Sequence, residues 1–361
     1  MRTCLISLLI VAAWPTSTAA QDLTGKCARI TAVPQINALG LTCAETASGV
    51  ALATGPAAAA LLPAIDQAGN QFPRHFETVP APVAIVAAST ITKEQLAAIR
   101  TAGFAPLPWF DGKGMRGQLE SSIRAKIIEQ LQGLTPQQVD SAVAQALTQI
   151  PGGSTANGTL GEKEVGALAH EIGHMWFGVL QDGLAQGSTA AAPRYGSSAP
   201  DWLDETAAVL MENAAVTQGR RDAIVRGMQM PPLTQFLTMD HPVFDAARAN
   251  PGDGVLSDRG GGAGGASIRI VSGAEADKLM AGKASAGPTF YSQARAFADF
   301  LIETSGNSRI INEIAVAERS GQGTARWLAV NGKRHHLATS IDRLDRQWQA
   351  WLKAWLLRQP G

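Results

Sequence analysis

Glu164–Gly178 reads EVGALAHEIGHMWFG, and the rest of the chain is organised around it. Val165, Leu168, Ala169, Ile172, Trp176 and Phe177 recur at helical spacing, which predicts a helix from about Gly161 to Val179 with one buried side. His170 and His174 lie four residues apart on that helix. Each residue turns the chain by roughly 100° and advances it by about 1.5 Å, so positions four apart return to nearly the same face. Both imidazoles can therefore reach one metal ion from a cleft, with Glu171 close enough to address a water bound to it.

Two histidines do not complete a catalytic metal site, which usually takes three protein ligands and leaves one position for water. The extended H-E-x-x-H-x-x-G-x-x-H pattern is absent, because Met-Trp-Phe-Gly-Val-Leu-Gln follows His174. Downstream, Gln181–Pro200 is rich in Gly, Ser, Ala and Pro without periodicity and reads as a surface loop. Beyond it, Trp202-Leu203-Asp204-Glu205-Thr206-Ala207-Ala208 opens a second helix. Glu205 is the best candidate for the third ligand, with Asp201 and Asp204 as competitors. Asp201 suits the helix cap, and Asp204 points about 100° away from Glu205.

These motifs carry a resemblance. HEIGHMWFG followed by WLDETAA is similar to the gluzincin metallopeptidases, above all the aminopeptidase N branch and relatives with a peptidase MA-like domain. In that family the motifs read H-E-x-x-H-x-W-F-G and W-L-x-E-x-x-A, and the glutamate of the second is the third zinc ligand, here Glu205. The resemblance extends from Gly161 to Gly306. It implies a thermolysin-like zincin catalytic domain, one zinc ion, and His170, His174 and Glu205 as its ligands. Tyr291-Ser292-Gln293-Ala294-Arg295 resembles the helix whose first tyrosine stabilises the oxyanion, so Tyr291 takes that role by resemblance. His241 is the alternative donor, although in Met239-Asp240-His241-Pro242 it reads as a turn residue. The connection between His174 and Glu205 is longer than in aminopeptidases. The G-x-M-E-N segment that grips a substrate's free amino terminus is missing, and Gln149–Thr159 offers no acidic residue in its place. The resemblance thus implies a metallopeptidase that is not an aminopeptidase. The competing readings are a catalytically inactive zincin-fold binding protein and a zinc hydrolase of a non-peptide substrate.

The remaining sequence places this catalytic unit in an exported protein. Arg2, the apolar run Cys4–Trp14 and the small residues Thr18-Ala19-Ala20 form a signal peptide over residues 1–20. No later stretch is apolar for long enough to span a bilayer, so no stable membrane anchor is expected after cleavage. The product would be periplasmic or secreted. Cys27 and Cys43 remain in the mature chain, and a disulfide is their simplest use; a pair of zinc ligands is the poorer alternative. Lys plus Arg and Asp plus Glu both number 30, which gives no basic stripe for nucleic acid; a peptide or protein partner is what the resemblance to metallopeptidases implies.

Residues 21–155 read as a mixed α/β N-terminal region and 156–361 as the helical catalytic domain, divided near Pro151-Gly152-Gly153-Ser154. The whole is α+β and mainly helical. Residues 21–55 read as a loosely structured entry, and the alanine run Ala57–Leu62 as a short helix stopped by Pro63. Val83–Ala88 is the best strand, Thr92 caps a helix ended by Gly103, and Ser121–Leu131 and Thr135–Ile150 have helical spacing. The sequon Asn157-Gly158-Thr159 matters only in a eukaryote. Arg259–Ala266 is a glycine-rich loop or linker, with a lid over the cleft as the sharper reading. Phe290–Glu303 is amphipathic, Trp327–Leu337 is ambiguous, His335-His336 read as a solvated pair, and Arg343–Leu357 carries a tryptophan stripe suited to core packing.

Overall fold

Four short strands, Thr42–Glu45 (β1), Gly49–Ala53 (β2), Val83–Ala87 (β3) and Ala105–Trp109 (β4), make one sheet in the order β1-β2-β3-β4. They belong to a computed structural model that describes residues 25–78, 80–88, 91–109, 124, 135–148, 159–184, 197–242 and 286–359. The described chain is α+β and mostly helical. The expected leader, the Ser121–Leu131 helix apart from residue 124, the break at 151–154, Asn157-Gly158 and the glycine tract 259–266 lie outside the described residues. So do residues 185–196 of the loop before Trp202.

β1 pairs antiparallel with β2, whereas β2, β3 and β4 run parallel. Every residue of β2 and β3 is buried. The period of two in a strand explains how both faces are used. Ala51, Ala53, Val83, Ile85 and Ala87 join the main core. Val50, Leu52, Ala84 and Val86 enter a smaller core with Ile30, Ile36, Ile99 and Phe104. Parallel strands covered on both faces read as continuous apolar runs rather than alternating ones.

The segment expected to be a loose entry is therefore structured. Its helices Lys26–Thr31 and Pro34–Asn37 bury Ile30 and Ile36 under the sheet, and the Cys27–Cys43 disulfide fastens the first of them to β1. The helix expected to stop at Pro63 instead runs through it, from Ala57 to His75. Pro63 lies on the exposed side, while Leu61, Ala64, Ile65, Ala68 and Phe72 face inward. A proline deletes one intrahelical hydrogen bond, and on the solvent side water can satisfy the freed carbonyl. The Thr92 cap forms as read, with Thr92 and Gln95 exchanging backbone and side-chain hydrogen bonds. Thr135 caps Pro136–Thr148 in the same way through Gln138.

β4 reads APLPW and was not legible as a strand. Ala105 N donates to the Pro82 carbonyl, which points the backbone of Ala105 and Leu107 at β3. Pro106 and Pro108 then direct their nitrogens away from the sheet, the arrangement that permits proline in an edge strand.

The motif helix, Glu162–Asp182, packs on Ala57–His75 and against β4. Phe72 meets Trp176 edge-on at 5.4 Å, and Trp176 Nε1 donates to the Ala81 carbonyl. The helix Asp201–Val209, the glutamate helix, covers the opposite side. The helix Ala286–Ser305, the tyrosine helix, lies across the glutamate helix. Phe290, Ala294, Phe297, Phe300 and Leu301 are buried as the amphipathic reading requires, and Trp348 packs against Phe297 and Phe300. The chain closes on Ile341–Leu357, with Trp348 and Trp355 buried and Trp351 Nε1 donating to Glu303. Thr324–Asn331 resolves the ambiguous stretch as a helix followed by a single tight turn.

Candidate metal centre

The site begins with how closely two helices approach. A Cβ on Gly173 would lie 2.8 Å from Ala208 Cα and 2.8 Å from Met211 Cγ. One on Gly166 would lie 2.5 Å from Asn213 Oδ1 and Val216 Cγ2. Both contacts are closer than side chains tolerate, so these glycines let the motif helix sink against the glutamate helix and the turn after it. Gly166, His170 and Gly173 share this face by helical periodicity, and the seam carries the histidines to Glu205.

His170 Nε2 is 3.0 Å from His174 Nε2. Glu205 Oε1 lies 3.4 Å from the first and Oε2 3.5 Å from the second. All three residues are buried, Glu205 completely. This group could hold a metal ion, with the ligand atoms within 4.8 Å of one another. The histidines, expected to face a cleft, are buried among the described residues, and within the H-E-x-x-H stretch Glu171 is the exposed position.

The outer nitrogens of the two rings are both fixed by carboxylates. His170 Nδ1 is 2.8 Å from Glu212 Oε1, and His174 Nδ1 is 2.5 Å from Asp204 Oδ1. An ionised carboxylate only accepts, so each Nδ1 donates outward; each Nε2 is the atom turned towards its neighbour and, in a neutral ring, can ligate a metal. Two ring nitrogens and a buried carboxylate thus converge on one point, where a metal ion or a proton on His174 can supply the positive charge. The donor set therefore fits a metal, and carboxylate–histidine support is a common feature of metal sites. Asp204 also accepts from Ser197 N at 2.7 Å, and Glu212 is clasped by Arg220, whose Nε lies 2.9 and 2.8 Å from its two oxygens. Gln67 Nε2 donates to the Met211 and Glu212 carbonyls and anchors that turn to the helix behind the motif.

The electrostatics follow the geometry. Burial raises the Glu205 carboxyl, but His170, His174 and His241 outweigh it and hold the group at about 2. Glu212 sits below the usual carboxylate range despite burial, through His170 and Arg220. The His174 imidazole is pushed well up by Asp204 and Glu205 against the opposing effect of burial.

Tyr291 stands beside this group. Its ring centroid is 6.0 Å from that of His170, and the Arg220 guanidinium lies over its face at 5.0 Å. Burial, then the Glu205 and Glu171 carboxylates, push its phenol well above the ordinary range. His241, read as a turn residue, is buried. Its ring packs on Phe290 and Tyr291, and its Nε2 is 3.7 Å from Glu205 Oε2. Asp201 does not cap the glutamate helix: Pro200 holds that position, and Asp201 Oδ2 accepts from His241 N at 2.6 Å. Asp204 supports His174 rather than competing with Glu205. His335 is not part of a solvated pair, for it is buried against Trp327 and bonded to Glu313, while His336 is exposed.

Sequence reasoning brought His170, His174, Glu205 and Tyr291 together, but it missed Glu212 and Arg220. Neither lies in a recognisable pattern. The available signal was an acidic residue seven positions beyond Glu205; it lies past the end of the helix at Val209, in the turn that follows. No protein-family model matches the chain, and no curated protein or solved structure matches it.

Proposed function

We propose that the chain is an exported zinc metallopeptidase with a zincin-type catalytic domain of the gluzincin kind, cutting peptide bonds but not acting as an aminopeptidase. One observation carries the reading: two histidines with carboxylate-fixed outer nitrogens converge their Nε2 atoms on each other and on buried Glu205. Zinc held by His170, His174 and Glu205 would supply a Lewis acid and a water of lowered pKa. Glu171, exposed beside the histidines, takes the proton of the attacking water and delivers it to the departing amine. Tyr291 stays protonated because of its burial and the nearby carboxylates, and it donates a hydrogen bond to the carbonyl oxygen as negative charge develops there. The missing acidic clamp for a free amino terminus argues against an aminopeptidase. The Cys27–Cys43 disulfide supports export, and no described helix is long and apolar enough to cross a membrane.

Metal analysis and peptide-library cleavage of the purified chain test this. The expected results are one zinc per chain, cleavage abolished by a chelator, and E171Q retaining zinc while losing on the order of 10²- to 10⁴-fold in turnover. Undiminished hydrolysis by E171Q, or cleavage confined to small esters, overturns the reading.

A further inference from the structure

Arg220 is more than a partner for one carboxylate. Its Nε bonds both oxygens of Glu212, and a terminal nitrogen also donates to Oε1. That same Oε1 accepts from His170 Nδ1. The central guanidinium carbon meanwhile lies over the Tyr291 ring at 5.0 Å, and that ring stands edge-on to His170. Its side chain is 16% exposed, so these contacts form largely away from water. Arginine can do both because its planar fork grips a carboxylate along one edge while its face covers an aromatic ring.

We infer that Arg220 is a positioning residue that couples metal binding to the oxyanion donor, holding His170 through Glu212 and Tyr291 through its ring. The inference rests on the proposed metal site. It assigns to one side chain outside every motif two effects that a simple structural ion pair would not produce together. The geometry is a closed circuit: Tyr291 and His170 adjoin, and Arg220 with Glu212 spans them on the outer side.

The test uses the full exported chain and zinc itself as the probe, with R220M, R220K, Y291F and R220M/Y291F. Circular dichroism establishes which variants fold. R220M should weaken zinc by about 10- to 100-fold in competition with a chelating dye, the loss typical of removed outer support. At saturating zinc it should still lower kcat by about 10- to 100-fold with little change in KM, because Tyr291 is misplaced. R220K, which retains the charge without the fork or the stacking plane, should fall between wild type and R220M in zinc affinity. Should R220M fail to fold, R220K carries the test alone. Y291F should lower kcat while zinc affinity stays within about twofold, and adding R220M to it should lower kcat no further. Unchanged zinc affinity in the folded arginine variants overturns the inference, as do kcat losses that simply multiply in the double variant. A wild-type chain that binds no zinc overturns the underlying site reading instead.

Discussion

The two histidines look equivalent in the sequence, yet they are supported by different kinds of structure. His174 leans on Asp204, which is wholly buried and accepts a backbone N–H from Ser197. His170 leans on Glu212, which is paired with a charged side chain that continues to Tyr291. The first support is a buried piece of core, and the second is a charged chain of contacts that runs on to the Tyr291 ring. On the proposed reading, the difference teaches that one ligand would be fixed by folding while the other would stay linked to the chemistry.

Breaking both supports at once should have the largest effect. Gly173→Ala places a methyl group against Ala208 and Met211, and prying the helices apart costs about 1–3 kcal/mol. Thermal unfolding should report that loss, and isothermal titration should find zinc binding abolished. Next comes the buried side alone. Asp204→Asn offers one acceptor oxygen where two buried donors now find two, so it should cost about 1–3 kcal/mol in denaturant unfolding and weaken zinc by about 10- to 100-fold. Glu212→Gln should weaken zinc to a similar degree but should also lower kcat at saturating metal, which Asp204→Asn should not. Equal kcat effects from the two would erase the proposed distinction. The smallest expected change is Ser197→Ala. It removes only the hydroxyl that accepts from Ala199, leaving the backbone donor on Asp204, so unfolding should shift by about 1 kcal/mol with zinc affinity unchanged.

What could be read in advance was local. The motif helix, the Thr92 and Thr135 caps and the Phe290–Leu301 face are written in residues a few positions apart, and each formed. β2 was opaque because GVALA, buried on both faces, shows no alternation. β4 was opaque because its prolines mimic a break, and the Ala57–His75 helix because Pro63 happens to fall on its wet side. At the site, the angle that removed Asp204 from the ligand set was sound, but it could not show that the same angle aims Asp204 at His174 Nδ1. Arg220 reaches Tyr291 only through the tertiary fold, and nothing in its neighbourhood announces the contact.

The prolines of β4 have a consequence for further strand pairing. An open strand edge normally presents donors and acceptors in turn, and another chain can dock by matching both. At buried Pro106 and half-buried Pro108 this edge has no backbone donor to offer. A second chain laid beside it would leave its own carbonyls opposite ring carbons, with no ladder to form. The sheet can thus end at β4 among the described residues without becoming a template for its own polymerisation.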